Sequence, residues 1–202
     1  MVMRVCKGIE LVSGIGGVFL PVLLILSLSI ALPQAPWFNW IGNAISDLGR
    51  PEYSLSFFNW TLTVIGGLLL FFSIGLILSL QQRIGPTLLA ISSIYFIGVG
   101  IYPLPSPIHV ETSSLFFIAF PLGFFFIGYR LRERKSVFFK KMSVFAFAIP
   151  LLAVVSPSIL VFGEGIAIPE LLILIPGFLW CAVYGLYLLR MLPGHQRIIC
   201  KN

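Results

Sequence analysis

Apolar runs long enough to cross a bilayer alternate with short polar breaks along this chain. Uncharged stretches cover residues 11–46, 53–82, 84–108, 112–129, 142–163 and 171–189. About 20 apolar residues suffice for a helix to span the hydrocarbon, so the pattern predicts six spans, near 11–32, 55–80, 87–104, 107–129, 142–162 and 169–190. Backbone groups in lipid must be satisfied inside their own segment, which makes each span a helix. The period-2 alternation of a membrane barrel strand is absent. The first run is too long and too glycine-interrupted for a signal peptide, and no small-residue cleavage site follows it, so it is expected to remain. The whole chain, 1–202, reads as a single all-α integral membrane domain.

Composition sharpens the class. Charged residues make up only 10% of the 202 positions, against about 25% in soluble domains, and the mean hydropathy is +1.04. The charges set an orientation. Arg4 and Lys7 precede the first span, Arg83 lies between spans 2 and 3, and Arg130, Arg132, Arg134, Lys135, Lys140 and Lys141 lie between spans 4 and 5. With Arg190, Arg197 and Lys201 after span 6, 12 of the 13 basic residues fall on one side and only Arg50 on the other. The positive-inside rule then places both termini in the cytoplasm of a cell-membrane protein. The basic run "RLRERKSVFFKK" reads as contact with anionic lipid heads, not with nucleic acid. Cys6 and Cys200 are expected in cytoplasmic tails and Cys181 within span 6, so a thiol-based oxidoreductase working on the outer side is excluded. No CxxC, P-loop or dinucleotide fingerprint is present, and no cofactor is implied.

Polarity gathers where it is least expected. Residues 33–54 form the longest outer loop, and Trp37, Ile41, Ala44 and Leu48 recur on one helical face, with Asn39, Asn43, Ser46 and Asp47 on another. Pro36 at the start and Gly49 at the end complete the signature of a short amphipathic helix at the interface between spans 1 and 2, its polar side capping the bundle mouth. Span 2 carries Ser56, Asn59, Thr63, Gly66, Gly67 and Ser73 at spacings of three and four. An amide inside a membrane helix needs a partner, so this stripe is expected to face inward. A third polar element, "YPLPSPIHVETSS" at 102–114, puts Ser106 at a helix cap with Pro107 next. His109 and Glu111 follow in the first turn, and Tyr95 and Tyr102 approach the same level from span 3.

"ISDLGR", "FFNWTLTVIGGLL" and "GIYPLPSPIH" together resemble the ordered pattern of the domain-of-unknown-function 998 family of prokaryotic six-helix membrane proteins. The resemblance covers roughly residues 40–125 and picks out Ser46, Asp47, Gly49, Asn59, Pro103 and His109. It implies the six-helix fold and no particular activity.

Two functions follow from these residues. In the first, that of a binding or transport protein, Asn43, Asn59, Thr63, Tyr95, Tyr102 and Glu111 line an outer pocket that binds a lipid head group or small polar solute. The partners are then membrane lipids and that ligand. In the second, Ser46 is a nucleophile, His109 its base and Asp47 the orienting acid of a membrane-embedded hydrolase or acyl transferase. A metal ion in such an enzyme would take Asp47, His109 and Glu111, an oxygen-rich set suited to a hard cation more than to zinc. His195 is expected on the opposite side, which excludes haem between two histidines. Both readings require Asp47, Asn59 and His109 to converge.

Overall fold

The computed structural model describes residues 2–51, 56–159 and 165–189. Glu52, Glu164, His195, Cys200 and the basic residues after span 6 lie outside them. The described residues form α1 (Val2–Ala31), α2 (Ser56–Leu80), α3 (Ile84–Ile101), α4 (Pro107–Arg132), α5 (Val137–Ile159) and α6 (Ala167–Leu188), with no strand. Each of the six is long and apolar enough to cross a membrane. Each helix packs on the next, and α6 returns to α1, so the bundle closes on itself. The ends of the bundle are named below by their polar residues. The Asp47 end carries the α1–α2 and α3–α4 connections, and the Arg130 end carries the α2–α3 and α4–α5 turns.

Local chemistry explains the boundaries. α4 opens with Pro107 at its first position behind an extended Ser106, and closes with Arg130 and Arg132 in its last turn, where cations favour the helix dipole. Ser106 occupies the cap position, but its hydroxyl makes no cap bond. Pro21, Pro121 and Pro176 lie inside α1, α4 and α6 without ending them.

Lipid offers apolar helices no hydrophobic reason to associate, so contact and shape do the work. Gly17 lets α1 approach α6, because a Cβ there would stand 2.6 Å from the carbonyl of Cys181. α6 is the most buried helix, and the aromatic rings beside it fill the centre. Phe124 meets Trp180 edge-on at 5.2 Å, Phe120 meets Phe178 at 5.9 Å, and Trp180 stacks on Tyr184 at 5.1 Å. Such pairs contribute about 0.5–1.5 kcal/mol each beyond the area they bury. Buried hydroxyls bond to carbonyls of their own helix, as Ser73 does to Leu69 at 2.7 Å, or of a neighbour, as Ser13 does to Phe71 at 2.9 Å.

The stretch 36–48 is not the expected amphipathic helix. It consists of turns near Pro36–Trp37 and Trp40–Gly42, followed by a five-residue 3-10 helix, Ile45–Gly49. Two causes are visible. The Asn39 carbonyl oxygen of the side chain accepts the Ile41 amide at 2.9 Å, and that of Asn43 accepts the Asn39 amide at 2.8 Å, so side chains compete with the helical ladder. The backbone carbonyls of Ile41 and Asn43 are also claimed from afar, by the amides of Gly165, Ile166 and Ala167 at 2.8, 3.1 and 3.0 Å. The expected apolar face breaks up accordingly: Leu48 is fully buried, whereas Ile41 is 53% exposed.

Candidate functional site

The Asp47 end is built around the loop 43–50, which bonds to α2 and to α6. Asp47 organises the loop itself. Its Oδ2 accepts the Ala44 amide at 2.8 Å and the Asn43 side-chain amide at 3.2 Å, while its Oδ1 pairs with Arg50 Nε at 2.8 Å. The carboxylate is buried, and these donors answer its charge. Two further bonds tie the loop down. The Ile45 amide donates to Glu170 Oε2 in the first turn of α6 at 2.6 Å, and Asn59 Nδ2 in α2 donates to the Gly49 carbonyl at 2.6 Å. Gly49 is required by this approach: a Cβ there would stand 1.9 Å from Asn59 Oδ1. Asn59, in the first turn of α2, thus has a backbone partner.

His109 lies in the first turn of α4 and is only 3% exposed. Its Nδ1 is 2.9 Å from the Tyr102 carbonyl. A carbonyl only accepts, so Nδ1 carries the hydrogen and Nε2 presents a lone pair. Nε2 is buried and has no hydrogen-bond partner among the described residues. The ring lines a cavity of about 20 Å³ together with Ser46, Ser113 and Glu170, walled by Leu62, Phe96 and Phe116 among others. That is room for about one water. Asp47 lies within electrostatic reach of both His109 and Glu170.

A second, larger opening lies across the α2–α3 layer. Ser56, Asn59, Trp60, Thr63, Gly100, Ile101 and Pro103 line a recess of about 350 Å³. Gly100 lets α3 approach α2 closely beside it, since a Cβ there would stand 2.3 Å from Thr63 Oγ1. Thr63 Oγ1 donates to the Asn59 carbonyl at 3.1 Å, so its oxygen is still able to accept a hydrogen bond.

The residues picked out by sequence therefore divide. Ser46 and His109 share the small cavity, and Asn59 and Thr63 share the recess. Asn43 and Asp47 belong to the loop's own bonding. Tyr102 contributes its carbonyl while its side chain is 43% exposed, Tyr95 packs against the core, and Glu111 is exposed. With Glu111 turned out, no group of three metal-ligating side chains is found among the described residues. Glu170 is the site residue that sequence reasoning missed. It stands in the first turn of α6 behind Pro169, where the helix dipole alone accounts for an acid, so nothing local distinguished it.

A family model described as a protein of unknown function (DUF998) matches residues 15–187. The chain belongs to the DUF998 family. The matched region contains Ser46, Asp47, Asn59, His109 and Glu170, so both the small cavity and the recess lie within the DUF998 portion. No curated protein and no solved structure matches the chain.

Proposed function

We propose that this multi-pass protein is a binding module of the cell membrane, its Asp47 end facing outward, which holds the head-group region of a phospholipid in the recess between α2 and α3. The observation that carries the reading is the recess itself. At about 350 Å³ it falls in the range of ligand sites, about 300–1,000 Å³, and it offers hydroxyl and amide groups beside an indole. Trp60 is 71% exposed, the disposition of an aromatic-belt residue at the lipid interface. The described lining residues include no ionisable side chain, which suits the hydroxyl and ester groups of a lipid better than its phosphate charge. The aromatic packing at the bundle centre favours a static binder over a carrier that passes solute through the middle. The basic residues at the Arg130 end support the outward orientation of the recess.

Native mass spectrometry of protein taken from bilayers of phosphatidylethanolamine and phosphatidylglycerol tests this. The wild type should retain a lipid that Ser56→Trp, which fills the recess, and Thr63→Leu, which removes its hydroxyl, both lose. Equal retention in all three proteins would refute the reading.

A further inference from the structure

We infer that Ser46 and His109 form a nucleophile and base able to attack an acyl carbonyl. This site is separate from the lipid recess and does not depend on it. His109 Nδ1 is held by the Tyr102 carbonyl, which orients the ring and leaves Nε2 as the acceptor. That nitrogen is buried and unpartnered, whereas the large majority of buried polar atoms are bonded. His109 and Ser46 line the same cavity, which has room for about one water, so the imidazole is a base within reach of proton transfer from that hydroxyl, directly or through one water. Ser46 is only half-buried, which leaves the residue accessible to an electrophile at the interface. The ring is oriented by the Tyr102 carbonyl, which accepts the Nδ1 hydrogen, since Asp47 is committed to Arg50 and Ala44. Glu170 is a positioning residue. By taking the Ile45 amide it sets the backbone immediately before the nucleophile.

The substrate class is a carboxylic ester presented at the interface. Ser46 Oγ bonds to the carbonyl carbon as its proton passes to His109 Nε2. The carbon–oxygen bond to the alcohol breaks, and the departing alkoxide takes that proton. Water then adds to the Ser46 ester, giving a proton to Nε2, and Oγ leaves carrying it, which releases the acid and restores the pair.

Diisopropyl fluorophosphate reports the pair directly, because an activated serine displaces its fluoride and keeps the phosphoryl group. The full chain in lipid nanodiscs is incubated with the reagent, digested and mapped by mass spectrometry. The expected result is an adduct on Ser46, absent in Ser46→Ala and slower by about 10²-fold in His109→Gln. Glu170→Gln, whose amide oxygen still accepts the Ile45 amide, should keep the labelling that Glu170→Ala loses. An unlabelled Ser46 in the wild type, which needs no variant to fold, would overturn the inference, as would a rate unchanged in His109→Gln. Lipid retention in the recess should be the same in Ser46→Ala as in the wild type, so failure here leaves the binding test standing on its own.

Discussion

Asn59 and Gly49 act as one unit, joined by a 2.6 Å bond and by a separation that admits no side chain on the glycine. Gly49→Ala forces the loop off α2 and should cost about 1–3 kcal/mol, the usual penalty for overpacking. Asn59→Ala leaves the Gly49 carbonyl without its donor, for a loss of about 1–3 kcal/mol. Because the second change also removes the obstacle to the first, the two should be clearly less than additive. Thermal unfolding in detergent of the two single variants and the double variant checks this. Full additivity would mean that the two positions are not coupled through this contact.

At the scale of elements, the loop 36–50 is ordered by what it touches, not by its own propensity. Three backbone bonds to residues 165–167 and the Ile45–Glu170 bond fasten it to the start of α6, although 125 positions separate Ile45 from Glu170. Glu170→Ala removes the acceptor and leaves a buried amide unpaired, a loss of about 1–3 kcal/mol. Much of that loss should appear as local opening. Hydrogen exchange at the Ile45 amide should therefore speed up by about 5- to 150-fold, the same free energy expressed as an opening equilibrium. Exchange in the middle of α2 should stay unchanged. Glu170→Gln should exchange like the wild type. If the Ile45 amide exchanges equally in all three, Glu170 does not hold the loop.

For the whole molecule, the charge pattern predicts orientation. In a background lacking Cys6, Cys181 and Cys200, single cysteines at 105 and 165 should react with an impermeant maleimide added to sealed cells, and those at 83 and 136 should not. Labelling at 136 would invert the topology and put the recess and the Ser46–His109 cavity in the cytoplasm. The six helices were legible in the sequence because the bilayer imposes length, apolarity and internal hydrogen bonding on each span separately. The need of Asn59 for a partner was legible for the same reason, since an amide in hydrocarbon cannot stay unpaired. What the tertiary structure alone decided is where the polar groups meet. Asn39 and Asn43 look helical by spacing, yet their side chains and the distant start of α6 bend the chain into turns. Glu170 resembles any acid in a first turn until it accepts the Ile45 amide. His109 lines one cavity and Asn59 another, so the one expected pocket becomes a cavity and a recess. Periodicity reports the environment of each segment, whereas these pairings depend on contacts between residues far apart in the chain, which no local pattern encodes.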